Sequence, residues 1–256
     1  MNTEIFKNFI NELGDISQEY IAKEFLKEQK WDAKADNSPV TLCDKNTELM
    51  LRERIKAKFP SHGIIGEEYG NENPDAEFVW VIDPIDGTKS FITKVPLFGT
   101  LIGLLHKGDP ILGLINQPIL KERIVGDNET CLFNGKPVEI STETSLKNAT
   151  VLSSDTRYFN LCHKNKEKAW REFEDGCNIM RSWGDCYGYM LVCRGLAHIM
   201  LDATLEPWDV LPLLPALRGA KLKVGDLRGG NDYKNFGCLA TCTQELYDTC
   251  LKTFDL

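Results

Sequence analysis

The chain has 256 residues, 42% of them hydrophobic and 27% charged, with a formal net charge of −8. That is enough chain for one large domain or two packed lobes around a substantial core. The acidic balance excludes the basic footprint of a nucleic-acid or membrane-surface binder, but it leaves a phosphorylated substrate open, because bound divalent cations would dominate the local charge.

The first residues, Met1-Asn2-Thr3-Glu4-Ile5, lack the basic and long apolar regions of a signal peptide. No apolar run approaches the roughly 18 residues of a membrane span. The nine cysteines are scattered and never form a CxxC pair, and the four histidines make no zinc spacing. A cytoplasmic protein with free buried thiols is expected.

Apolar residues from Ile5 to Ile21 recur at helical spacing and predict one amphipathic helix over 3–28. A polar link, Trp31 to Ser38, leads to Pro39-Val40-Thr41 and a second helix ending near Lys58, before Pro60. Asp44 falls near its start, where a carboxylate also serves as an N-cap or first-turn residue. Ile64-Ile65-Gly66 reads as a buried strand that delivers Glu67 and Glu68. Neighbours on a strand point to opposite faces, so only one, preferably Glu67, is expected to line a given cleft.

After a polar loop over Tyr69–Glu77 comes FVWVIDPIDGTKSF, Phe78 to Phe91. Its five apolar residues make a strand buried on both faces. Pro84 is expected to end the ladder, Gly87 to allow a tight turn and Thr88 to cap a following helix. Two carboxylates, Asp83 and Asp86, thus leave a core strand just before a helix N-terminus. Hard cations bind carboxylate oxygens and helix N-termini bind phosphate. An Asp-rich turn that only caps a helix is the plainer alternative.

Strands follow at 98–105, 110–117 and 122–125, with hairpin turns at Lys107-Gly108 and Asn134-Gly135, the latter leading into 137–140. Two helices on one side of an antiparallel sheet are expected. The second half alternates. Strands are predicted at 149–153, 178–181, 197–201, 221–224 and 238–241, and helices at 164–174, 185–194, 208–217 and 244–251. The expected organisation is an α+β lobe, 1–145, against an α/β lobe, 146–256.

Each acid alone is a weak signal; their order is not. Ser38-Pro39-Val40-Thr41 with Asp44, then Gly66-Glu67-Glu68, then Trp80-Val81-Ile82-Asp83-Pro84-Ile85-Asp86-Gly87-Thr88, then Trp208-Asp209 together resemble the inositol monophosphatase superfamily of magnesium-dependent, lithium-sensitive phosphatases. The resemblance spans essentially the whole chain. It implies a layered αβαβα sandwich and a homodimer. It also implies that Glu67, Asp83 and the carbonyl of Ile85 hold one Mg²⁺, that Asp83, Asp86 and Asp209 hold a second, and that a third sits on Glu67 through waters. Gly87 and Thr88 would offer N–H groups to the phosphate. Thr88 with Asp44, and Glu67, would orient and deprotonate the attacking water, with no phosphoenzyme.

The DxDGT of haloacid-dehalogenase-type phosphatases differs, because Asp83 and Asp86 are three residues apart and lie well into the chain. The substrate signal lies downstream. Arg181-Ser182-Trp183-Gly184-Asp185-Cys186-Tyr187-Gly188-Tyr189 resembles the RxGGDCYxY of the histidinol-phosphate phosphatase branch. Asp185, Asp202 and Arg181 are then the expected substrate contacts. An acid at 185 suits a substrate with an ammonium and an imidazole. Trp183, Asp202 and Glu206 depart from the branch pattern. Inositol-1-phosphate or a sugar phosphate is the alternative substrate, and a non-catalytic binding subunit the remote one.

Overall fold

The computed structural model describes residues 4–34 and 38–256. Helix α1 (Glu4–Phe25) is followed by a ribbon of β1 (Trp31–Ala33) and β2 (Pro39–Thr41), then α2 (Leu42–Lys58). Strands β3 (Gly63–Gly66), β4 (Gly70–Glu72) and β5 (Phe78–Asp86) precede the short α3 (Thr88–Ile92). Then come β6 (Gly99–His106), β7 (Asp109–Gln117), β8 (Glu122–Gly126), β9 (Cys131–Phe133) and β10 (Lys136–Pro137). These last eight strands form one sheet in the order β10-β9-β8-β7-β6-β5-β3-β4, antiparallel except for the β3–β5 pair.

The second half runs β11 (Thr150–Leu152), α4 (Thr156–Cys162), α5 (Glu167–Gly176), β12 (Ile179–Arg181), α6 (Asp185–Cys193) and β13 (Ile199–Asp202). It continues with α7 (Pro207–Val210), α8 (Leu214–Gly219), β14 (Lys223–Gly225), α9 (Tyr233–Phe236), β15 (Cys238–Thr241) and α10 (Gln244–Phe254). Its five strands form a mixed sheet, β12-β11-β13-β15-β14.

The layers follow from which faces are apolar. Phe6, Phe9, Ile10 and Leu13 of α1 with Leu51 and Ile55 of α2 bury against Trp80, Ile82, Ile102 and Leu114 of the large sheet. Its other face, through Leu101, Ile115 and Ile124, joins a core that includes Val192 and Cys193 of α6 and Ala216 and Leu217 of α8. Those two helices also touch the five-stranded sheet, and α5 and α10 complete the stack through Trp170, Phe173 and Phe254. The result is the expected αβαβα sandwich.

The 207–219 segment sits unusually close to the large sheet. A Cβ on Gly113 would lie 2.0 Å from the Pro212 carbonyl oxygen, and one on Gly126 2.3 Å from the Cα of Ala216. Only glycine permits this approach, which fixes the backbone just beyond Asp209.

Several expectations are corrected. Pro84 does not end the ladder: β5 runs on to Asp86, which pairs with Gly99 after a register shift between Asp83 and Asp86. Proline has no N–H for the ladder, so the strand bulges there, and the hydroxyl of Thr100 donates to the Pro84 carbonyl (2.9 Å). Helix α1 ends at Phe25, and the link after it holds β1; Thr3 and residues 35–37 lie outside the described residues. The loop after Glu68 contains the edge strand β4, and residues 138–140 are not a strand. The helix expected at 208–217 is two, α7 and α8, with Pro212 between them and Pro215 in the first turn of the second. Helices α4 and α9 were not foreseen; both are short and begin at Asp caps, Asp155 and Asp232.

Candidate active site

The bulge in β5 turns two carboxylates toward one place. Asp83, Asp86 and Asp209 each offer an oxygen, and the three lie within 4.8 Å of one another. Asp83 is 2% exposed, and its Oδ1 accepts the N–H of Ile85 (3.0 Å). Asp86 accepts the N–H of Cys186 (2.5 Å) at the start of α6. Asp209 sits in the first turn of α7 and accepts the N–H of Glu206 (2.9 Å).

Burial raises the pKa of all three, and their neighbours add to it. Glu67, Asp86 and Asp209 face Asp83, while Asp185 and Asp209 face Asp86. Asp209 is pushed up to about 7, by burial first, with the Glu206 N–H opposing and the charge of Glu67 adding. Crowded buried carboxylates resist ionising together unless a cation joins them.

Glu67 closes the cluster. Its Oε1 accepts from the Lys34 ammonium (2.6 Å), whereas Oε2 is buried without a hydrogen-bond partner. Strand β3 stops at Gly66, so Glu67 and Glu68 lie on a turn and strand alternation does not separate them. Both reach Lys34, Glu68 at 2.7 Å. Burial disfavours charge on Lys34, but the two glutamates outweigh it and raise its pKa. An all-oxygen donor set of repelling carboxylates, with one buried oxygen unpartnered, fits a hard divalent cation.

Thr88 does not cap α3. Gly87 is the N-cap, in the left-handed conformation (φ 90°), and Thr88 is the first helical residue. Its hydroxyl instead lies within donating distance of Asp44 Oδ1 (3.1 Å) and the Ile85 carbonyl (3.0 Å). A carbonyl oxygen has two lone pairs, so Ile85 keeps one for another ligand. Asp44 is fully buried. Its other oxygen accepts the N–H (2.8 Å) and hydroxyl (2.5 Å) of Thr41, completing a capping box on α2. The helix-start reading and the site reading of Asp44 both hold, one oxygen for each. Burial raises its pKa and the Thr41 bonds oppose the shift.

Next to the cluster is a cavity of about 290 Å³ lined by Asp86, Lys89, Ser154, Asp155, Asp185, Asp202 and Asp209 among others. Burial first, then the charge of Asp202, pushes Asp185 up to about 7. Asp202 is 5% exposed, and both its oxygens accept bonds from within the protein. Arg181 is not brought to the cavity wall; it is exposed on edge strand β12, and its guanidinium donates to the Met180 carbonyl (2.7 Å). Trp183 is 46% exposed and does not line the cavity.

Sequence reasoning missed Lys34, Ser154 and Glu48. Glu48 is wholly buried in α2, accepts the N–H of Glu68 (2.7 Å) and of Tyr69 (3.2 Å), and pairs with Arg52 (2.7 Å). It therefore holds the turn that presents Glu67. Its one local signal is the Glu48–Arg52 spacing of four.

The chain as a whole is similar to known proteins. A family model described as inositol monophosphatase family matches residues 3–255. The chain is 41% identical over 222 residues to a bifunctional phosphatase IMPL2, chloroplastic, of Arabidopsis thaliana, covering 86% of this chain and 63% of that relative's length. It is 38% identical over 198 residues to a histidinol-phosphatase of Chlorobaculum parvum, covering 77% of this chain and 76% of the relative. Among solved structures, an inositol monophosphatase from Zymomonas mobilis superposes with a TM-score of 0.88 at 31% identity, over 100% of both chains.

Proposed function

Because the chain belongs to the inositol monophosphatase family of metal-dependent phosphatases, we propose that it is a Mg²⁺-dependent phosphomonoesterase that converts histidinol phosphate to histidinol by direct attack of water. The observation that carries the reaction is the oxygen cluster of Asp83, Asp86 and Asp209, with the unpartnered buried Oε2 of Glu67 and the Thr88–Asp44 pair.

Glu67, Asp83 and the Ile85 carbonyl would hold one ion, and Asp83, Asp86 and Asp209 a second. When bound, the ions neutralise phosphate charge, acidify water and stabilise the leaving oxygen. The protein orients and deprotonates. With its proton directed to Asp44, Thr88 Oγ1 presents a lone pair to the attacking water. Asp44, within hydrogen-bond distance of that hydroxyl, is the proposed acceptor of the proton passed through it. The N–H groups of Gly87 and Thr88 are the proposed phosphate contacts, at the positive end of α3.

The substrate reading rests on Asp185. It puts a carboxylate on the cavity wall, where a substrate ammonium or imidazole gains a charge-assisted hydrogen bond that an inositol hydroxyl gains only weakly. The Chlorobaculum relative's name supports the same choice. A second reading, inositol-1-phosphate or a sugar phosphate, draws on the hydroxyls of Ser90, Ser154, Ser182 and Thr204 along the same cavity, which suit a polyol.

Release of phosphate from p-nitrophenyl phosphate after chelation and Mg²⁺ readdition tests the reaction. Metal-restored turnover is expected, and its absence overturns the proposal.

A further inference from the structure

Three chain segments meet on the cavity wall beside the carboxylate cluster: the residues just past β11, the end of β13 and the start of α6. A Cβ on Gly184 would lie 2.1 Å from the Cα of Ser154 and 2.4 Å from its nitrogen, so these two backbones touch only because residue 184 is glycine. From there a closed ring of hydrogen bonds runs through the three segments. The N–H of Asp185 donates to Ser154 Oγ (2.7 Å). The N–H of Ser154 donates to Asp202 Oδ1 (2.9 Å). Asp202 Oδ2 accepts from the hydroxyl of Tyr189 (3.2 Å), one turn along α6 from Asp185.

Two features give this ring a purpose. Asp185 has φ 51°, a left-handed conformation that a residue with a Cβ resists and that persists only where the surroundings hold it. Asp202, for its part, has no oxygen without a donor. Each oxygen is tied to a neighbouring segment of the wall, and the two bonds fix how the side chain lies.

We propose that Asp202 is a positioning residue: through Ser154 it locks the left-handed backbone of Asp185 and so sets which phosphate ester the cavity prefers. The inference rests on the reading of Asp185 as the residue that selects the substrate.

Asp202→Asn separates the ring from the charge. The amide oxygen still accepts from Ser154, and its NH₂ donates to Tyr189, so the ring survives while the charge is gone. Asp202→Ala and Ser154→Ala each break the ring. Two readouts are taken on the Mg²⁺-loaded protein: kcat and KM on histidinol phosphate, inositol-1-phosphate and glycerol-2-phosphate, and hydrogen exchange at the Ser154 and Asp185 amides.

Asp202→Ala should compress the wild-type preference about tenfold, mainly through KM, and speed exchange at both amides by about tenfold or more. Ser154→Ala should do the same for Asp185. Asp202→Asn should keep both amides protected to within about threefold of wild type. The proposal is overturned if Asp202→Asn speeds exchange as much as Asp202→Ala, or if Asp202→Ala leaves the Asp185 amide as protected as before. A wild-type enzyme that prefers inositol-1-phosphate would sink the substrate reading alone, because the variants would still report whether the ring sets the preference. Exchange decides the matter even without turnover.

Discussion

Asp83 and Asp202 are both carboxylates almost sealed from solvent, at 2% and 5% exposure; Asp202 lines the cavity, and Asp83 belongs to the carboxylate cluster beside it. Asp83 accepts one backbone N–H and faces three other acids, Glu67, Asp86 and Asp209. Asp202 accepts from Ser154 and Tyr189, which supply a donor to each oxygen. Burial raises both pKa values, but around Asp202 the bonds from Ser154 and Tyr189 oppose the rise, whereas around Asp83 the neighbouring acids add to it. One wall is left short of positive charge, and a cation completes it. The other is complete as folded and holds a shape.

The comparison breaks most visibly at Asp83. Asp83→Asn should lower Mg²⁺-dependent phosphate release at least about a thousandfold. It should also leave the metal-free protein as stable as wild type or more so, because it removes a repelled buried charge. Turnover assays and thermal melts in chelator check both halves, and a melting point lower by several degrees would show that Asp83 is satisfied without metal.

Glu48 offers the converse case, a buried carboxylate behind the acidic wall that already has its partners. Glu48→Ala strands Arg52 and frees the Glu67–Glu68 turn, so about 3 kcal/mol of stability should be lost, with weaker Mg²⁺ binding. Denaturant unfolding and calorimetric titration measure the two effects. Unchanged Mg²⁺ affinity in a folded variant would mean that the turn is held by something else.

The acidic wall also fixes a pH dependence. Asp209 binds its proton more tightly in the folded protein, at about 7, than in an unfolded chain, at about 3.9. Asp83 and Asp86 shift the same way. The metal-free folded state therefore holds more protons than the unfolded state in this window, and its stability should fall as pH rises from about 4 to about 7. Saturating Mg²⁺ should raise the melting temperature more at pH 7.5 than at pH 5.5, with protons released on binding. Equal Mg²⁺ shifts at the two pH values would contradict the assignment. The smallest effect expected is at Asp185: Asp185→Asn should narrow the preference for histidinol phosphate about tenfold.

The two walls also differ in how far the sequence discloses them. FVWVIDPIDGT carries its own evidence, since apolar residues buried on both faces end in two aspartates and a glycine within one stretch. Asp44, Glu67 and Asp209 add to it in a fixed order along the chain. What the stretch conceals is the bulge: Pro84 reads as a terminator, yet pairing resumes at Asp86, and that irregularity is what brings the carboxylates together. Thr88 reads as a cap because caps are local, but its hydroxyl is used across 44 residues, on Asp44. Ser154 and Asp202 are likewise 48 residues apart, and no spacing rule links them. Strands β1 and β4 were invisible for another reason. All of their residues are exposed, so they carry no apolar alternation to read.

The most direct test of the central claim is kcat/KM for histidinol phosphate against inositol-1-phosphate, measured on the wild-type protein with Mg²⁺ and after its removal. The account predicts turnover only with the metal and a preference of at least about tenfold for histidinol phosphate. Turnover that survives chelation, or an equal or reversed preference, would contradict it.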